Sequence, residues 1–297
     1  MRAWLLFVLG IIGFALVGTL RVMAESFPSD VVALARMGGA ALIFVLVFFR
    51  KGMKPVKSKK VWIEFVLIGL LLAVAFTFYL EAFMHANISE VKLIGFIDPI
   101  IVLFLAGTVL GEKVSKYSII AALLALAGLY MLWNPTGDDL ETQKGLSLAT
   151  LAMICGAASA LLIRNTEHDA PVSEVLVYPF LFGTVAIAIW VIFTQSYMQI
   201  LDWAAWPWLA LLAITTAISY WAYDNAMLKI GAHLTELGMR IGISIVATVF
   251  AVVVVGEVIS ESWWSAALLL IGSGIILYAV AKHYRLPFMH RHHGHTH

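Results

Sequence analysis

The chain has 297 residues, 62% of them hydrophobic and 12% charged, with a formal net charge of +1 and one cysteine, Cys155. Soluble domains are about 45–50% apolar and about 25% charged, so a water-soluble globule, a disordered chain and a nucleic-acid-binding domain are all excluded. One cysteine leaves no internal disulfide and no multi-cysteine metal site.

A bilayer core about 30 Å thick takes about 20 apolar residues per helix. Reading between breaks in the apolar runs predicts ten spans, at 4–24, 31–49, 61–84, 89–110, 117–133, 145–163, 174–194, 205–228, 232–255 and 262–281. Runs this long argue helices; a membrane barrel would show alternation in segments of about ten residues. The first span follows Arg2 and ends near Val22-Met23-Ala24, which has the look of a signal-peptide cleavage site. Its apolar run is longer than the about 7–15 residues of a secretory h-region, so it is read as a retained helix.

Taken in chain order, span two carries Arg36, span three carries Tyr79, Glu81 and His85, and span four carries Asp98 directly before Pro99. Span eight carries Tyr220, Trp221, Tyr223 and Asp224, and span nine carries Glu236 and Arg240. Spans one, five, six, seven and ten have no charge away from their ends. An ionisable side chain at the bilayer centre costs about 2.5–3.5 kcal/mol even on mild scales. Spans three, four, eight and nine are therefore read as cavity walls, with one and six lining the sides. Spans five and ten face lipid or a partner; a homodimer through them is the alternative to a monomer. Pro99 removes a backbone donor and loosens the helix beside Asp98. Plainer readings exist: Glu236 with Arg240, and Glu81 with His85, can pair at i, i+4, Arg36 can lock to Asp98, and the aromatics can simply pack.

Lysine and arginine set the orientation. With the N-terminus in the cytoplasm, fourteen fall on that side, six of them between 50 and 60, against Arg21, Lys92 and Lys144 on the other. Both termini are expected in the cytoplasm and the 134–144 loop outside, in the inner or plasma membrane. The basic 50–60 loop lies against anionic membrane lipid. The His-rich tail from His290 to His297 can bind a metal loosely, but a disordered terminus without a role is the simpler reading.

The chain also repeats. At a shift of 145, Gly111-Glu112 and Ser115 fall on Gly256-Glu257 and Ser260, and at 144 Tyr79 and Ala82 fall on Tyr223 and Ala226. This divides it into residues 1–137, residues 138–282 and a tail, 283–297. Each half holds five spans, an odd number, so the second half is inverted, as in secondary transporters.

These features together resemble the drug/metabolite transporter superfamily, and within it the EamA-like metabolite exporters. The features are a 5+5 set of spans, Arg36 early in the second, Pro99 within the fourth, and Gly-Glu after the fourth and ninth. The resemblance runs to about residue 282 and implies a helical basket around a central cavity, exporting small metabolites, often amino acids, without ATP. Ser244 stands where Pro99 would repeat, so a helix break need not be symmetric.

The fold class expected is an all-α integral membrane protein, and the function is export of a small-molecule substrate, most simply an amino acid or similar zwitterion. Arg36 and Arg240 would hold a carboxylate, Asp98 or Asp224 would face the amine, and Tyr79, Tyr220 and Trp221 would contact the apolar part. Asp98, Pro99 and Glu236 are the candidates for coupling or gating. No cofactor, metal site or nucleic-acid partner is expected. The rival functions are a membrane-embedded enzyme, for which no catalytic motif such as His-Glu-x-x-His occurs, and a non-transporting scaffold.

Overall fold

The computed structural model describes residues 3–50, 56, 58–98, 100–101, 116–133, 140–166, 170–199, 205–230 and 232–284. Ten α-helices run through them: α1 (Ala3–Met23), α2 (Ser29–Phe49), α3 (Lys59–Ala82), α4 (Ile88–Ile94), α5 (Lys116–Trp133), α6 (Leu140–Thr166), α7 (Val172–Thr194), α8 (Trp206–Ile230), α9 (Ala232–Phe250) and α10 (Glu261–Tyr284). No strand occurs among the described residues. Six helical segments are long and apolar enough to cross a bilayer: Ala3–Met23, Ser29–Phe48, Lys59–Ala82, Leu140–Ile163, Ser173–Thr194 and Gly238–Val255. Shorter apolar stretches in α5 and α10, Ile119–Trp133 and Glu261–Ile276, accompany them.

Local chemistry sets several ends. Pro28 and Pro171 stand just before α2 and α7 with extended ψ values of 146° and 147°, where a residue without an N–H loses no helical bond. Past α9 the chain widens into a π turn, Ala251–Val255, and stops at Gly256. Gly256 has φ of 78°, a left-handed conformation in which a side chain would be strained.

α2 lies between α7 and α8; α3 packs on α6 and α7, α1 packs on α8 and α9, and α5 and α10 pack mainly on each other. The α3–α7 contact is close because Gly69 faces backbone: a Cβ there would stand 2.7 Å from the Pro179 carbonyl oxygen and 2.9 Å from the Gly183 nitrogen. Small residues of this kind let membrane helices approach. The outward faces of α5 and α10 are apolar, with Leu123, Leu126, Leu268 and Ile275 exposed.

The fold corrects several expectations. Span four is described only as α4, a 3-10 turn at Gly95–Ile97 and residues 98, 100 and 101. The rest of that span, with Pro99 and Gly111-Glu112, lies outside the described residues, as do Asp139 and the His-rich tail. Arg21 and Lys92, counted as loop cations, are both buried in the bundle. Span four begins at Ile88, and Lys92, one turn in, already faces the core. Asp30, Glu64, Glu90 and Glu174, at helix ends, are buried as well. Buried charge therefore extends beyond spans two, three, four, eight and nine.

Candidate functional site

Three rings on one side of α3 organise the centre of the bundle. Phe76, Tyr79 and Phe83 follow at spacings of three and four, which is about 4.5–6 Å along the helix axis. Arg36 of α2 lays its guanidinium over Phe76, 4.1 Å from the ring centroid. Its Nε donates to Thr216 Oγ1 of α8 at 2.9 Å. Lys92 of α4 occupies the next two rungs, its Nζ 5.1 Å from the Tyr79 centroid and 5.3 Å from that of Phe83. The same ammonium donates to the Phe14 carbonyl oxygen of α1 at 2.8 Å.

Both cations are sealed from solvent, Arg36 at 3% exposure and Lys92 at 4%. A buried charge is costly unless it is compensated, and the aromatic faces supply part of that compensation. Among the described residues neither cation makes an ion pair. Arg36 Nη1 has no hydrogen-bond partner among the described residues.

A second aromatic group closes the site. Tyr220 of α8 meets Phe14 edge-on at 5.2 Å and Phe180 of α7 at 5.1 Å, and it tilts against Phe76 at 6.1 Å. Phe180 means that α7 supplies a wall where the sixth helix was expected. Asp224 follows one turn after Tyr220 and is half-buried. Trp221, the next residue round the helix, is exposed and stands apart from this cluster.

Deeper along α4, Asp98 pairs with Arg240 of α9. Ser244, one turn after Arg240, donates to the Lys92 carbonyl oxygen at 3.3 Å and ties the same two helices. The lock expected between Arg36 and Asp98 is therefore replaced by one between Arg240 and Asp98. The other expected pairing, of Arg240 with Glu236, falls on a side chain outside the described ones. Asp98 is buried, and its Oδ1 has no hydrogen-bond partner among the described residues. The centre thus holds an open donor on Arg36 and an open acceptor on Asp98.

At the end of the bundle where α3 ends and α4 begins, a cavity of about 230 Å³ is lined by Val22, Phe83, Asn87, Ile88 and Glu257, among others. Phe83 belongs both to this cavity and to the ring ladder around Lys92. Glu257, from the loop after α9, accepts from the backbone N–H groups of Ile88 at 2.9 Å and Ser89 at 3.1 Å, and from the Ser89 hydroxyl. It caps the first turn of α4 and fastens the two halves of the chain beside the cavity.

Sequence reasoning brought Arg36, Tyr79, Asp98, Tyr220 and Arg240 into one region but missed Phe14, Phe76, Lys92, Phe180 and Thr216. The spacing of Phe76, Tyr79 and Phe83, one or two turns apart on one helix, was the available signal for the ladder. Nothing comparable marked Phe14 or Phe180, whose roles depend on which helices meet.

Comparison with known proteins bears out the likeness read from the sequence: residues 1–134 match the EamA-like transporter family. The chain is 21% identical over 209 residues to the uncharacterized transporter YyaM of Bacillus subtilis (strain 168), covering 67% of this chain and 68% of that protein. It is 26% identical over 145 residues to the probable transport protein YPL264C of Saccharomyces cerevisiae, spanning 41% of each. A protein of known crystal structure shares the fold, with a TM-score of 0.66 at 17% identity over 95% of this chain and 98% of the other.

Proposed function

We propose that the protein is a secondary transporter that moves small metabolites, amino acids or similar zwitterions, out of the cell across the inner or plasma membrane by alternating access. One observation carries this reading: two buried groups of opposite sign, Arg36 Nη1 and Asp98 Oδ1, have no partner of their own in the same polar centre. A guanidinium with a free N–H can hold a carboxylate by a charge-assisted hydrogen bond. A carboxylate with a free oxygen can accept from an ammonium. The ring ladder and Tyr220 would meet the apolar part of the substrate. The family match over residues 1–134 and the names of the two relatives support transport rather than catalysis.

Alternating access would follow from a 5+5 inverted repeat, which the helix pairings support. Exchanging the halves carries α3–α6 onto α8–α1 and α3–α7 onto α8–α2, and it returns α2–α7, α4–α9 and α5–α10 onto themselves. Both termini would be cytoplasmic, and the apolar faces of α5 and α10 would meet lipid or a second copy. Asp98 would be the coupling group if the proton gradient drives export.

The test is uptake of an amino-acid panel into proteoliposomes, with and without an imposed pH gradient, by the wild type and by Arg36→Ala. Arg36→Ala should lower uptake at least about 100-fold, as expected when a buried charged hydrogen bond to substrate is lost, with insertion and folding intact. A folded Arg36→Ala variant that still transports would refute this assignment.

A further inference from the structure

Lys92 has no role in the reading above, and its amino group lies between a carbonyl oxygen and two ring faces. It is buried, it donates to the Phe14 carbonyl oxygen, and it faces the rings of Tyr79 and Phe83. An ammonium carries three donors, and one is accounted for by Phe14. No carboxylate among the described residues pairs with it. Arg36 lies over the neighbouring rung of the same ladder, so two cations share one face of α3 about one helical turn apart. Two like charges at that spacing in an apolar bundle repel each other. Of the buried carboxylates along this stretch, Glu90 accepts from Ser260 and Asp98 serves Arg240. The centre therefore presents three cations, Arg36, Lys92 and Arg240, against Asp98 and, one turn past Tyr220, Asp224. The Glu236 side chain of α9 lies outside the described ones; among those described, neither Arg36 nor Lys92 has a carboxylate of its own, and a zwitterion brings one carboxylate for the two cations.

We infer that the central site selects an acidic amino acid, with Arg36 on one carboxylate, Asp98 Oδ1 on the ammonium and Lys92 on the second carboxylate. The inference rests on the transport reading and narrows its substrate class. A second carboxylate satisfies both needs of the ladder: it sets a negative charge against each of the two cations on it, and it gives the open Lys92 donors an acceptor. The carboxylates of a four- or five-carbon acidic amino acid are separated by a distance comparable to one helical turn. Phe83, the ring that Lys92 faces, also lines the 230 Å³ cavity at that end of the bundle.

The experiment compares uptake of L-glutamate with L-glutamine, and of L-aspartate with L-asparagine, into proteoliposomes holding the full chain. Each pair is nearly isosteric and differs by one negative charge. The wild type should favour the acid by at least about tenfold, the loss expected when a charged acceptor is replaced by a neutral one at a buried cation. Lys92→Met, which keeps the buried stem, should reverse the preference, and Lys92→Arg should retain it. Wild-type uptake of glutamine equal to or faster than that of glutamate overturns the inference and leaves the transport reading standing. An unchanged ratio in folded Lys92→Met also overturns it. If Lys92→Met fails to insert, the wild-type ratio and Lys92→Arg decide the question alone. Folded wild type that carries none of the four amino acids overturns the amino-acid reading itself.

Discussion

The buried charges at the ends of the bundle and those at its centre are treated in opposite ways. Asp30, at the start of α2, accepts from its neighbouring Val31 N–H at 2.8 Å, from Thr194 at 2.9 Å and from Ser196 at 2.7 Å. Glu64, near the start of α3, takes Asn165 at 2.8 Å and Thr166 at 2.9 Å from the end of α6, with Lys60 at 3.6 Å. Glu257 takes three donors at the head of α4. Each of these carboxylates fastens one helix end to another element and has its own donors. Arg36 and Asp98, deeper in, each keep an atom with no partner. A charge that is fully hydrogen-bonded holds a fold in one state; one left half-satisfied is costly to the fold, and because Arg21 Nε and Glu90 Oε2 toward the ends are left in the same way, it is the meeting of an open donor and an open acceptor of opposite charge that marks the centre. The difference separates struts from site.

That distinction is broken most sharply at Asp98. Removing one partner of a buried ion pair strands the other, at a cost of about 3–5 kcal/mol. Asp98→Ala leaves Arg240 without this carboxylate in the bundle, and a large fall in thermal midpoint in detergent is expected. Asp98→Asn keeps an oxygen acceptor for Arg240 and should lose less. Equal midpoints for wild type and Asp98→Ala would mean that the pair contributes little to the fold and that Asp98 belongs wholly to the substrate.

Glu257 sharpens the other side of the comparison. Losing a helix cap costs about 0.5–2 kcal/mol, so Glu257→Ala should lower the midpoint less than Asp98→Ala does. Its effect should also be local. The Ile88 and Ser89 amides are the groups released, and hydrogen exchange there should quicken while the amides of α3 and α6 keep their protection. Uniform loss of protection would instead make Glu257 a determinant of the whole fold.

Composition and periodicity made the all-helical membrane architecture legible, because a span of about 20 apolar residues is a one-dimensional signal. Helices α1, α2, α3, α6 and α7 begin and end within a few residues of the predicted spans, apart from the start of α6 at Leu140. The site was legible only where a charge stood alone in an apolar run, as with Arg36, Asp98 and Arg240. Lys92 was misread because it lies five residues after the turn residue Asn87, where an interfacial lysine would also lie. Burial there depends on α1, α3 and α9 converging on α4, a fact of packing that no local pattern carries. The Asp98 pair was hidden for the same reason: i, i+4 spacing proposes a partner on the same helix, whereas Asp98 reaches Arg240 from another helix, 142 positions away in the chain.

The smallest effect belongs to the pairing of Glu81 with His85, expected from their i, i+4 spacing and present in the structure. His85 Nε2 meets Glu81 Oε1 at 3.0 Å, and its Nδ1 meets Glu141 Oε2 of α6 at 2.6 Å. The network joins the two halves at the same end as Glu257, but it is wet: the Glu141 side chain is 70% exposed and that of Glu81 38%. Solvent competes for each of these charges, and exposed pairs contribute about 0–1 kcal/mol. Glu141→Gln should therefore shift the thermal midpoint little, and raising the salt concentration should shrink even that difference, since screening acts on exposed pairs and hardly on buried ones. A loss as large as that of Asp98→Ala, insensitive to salt, would put this network among the struts.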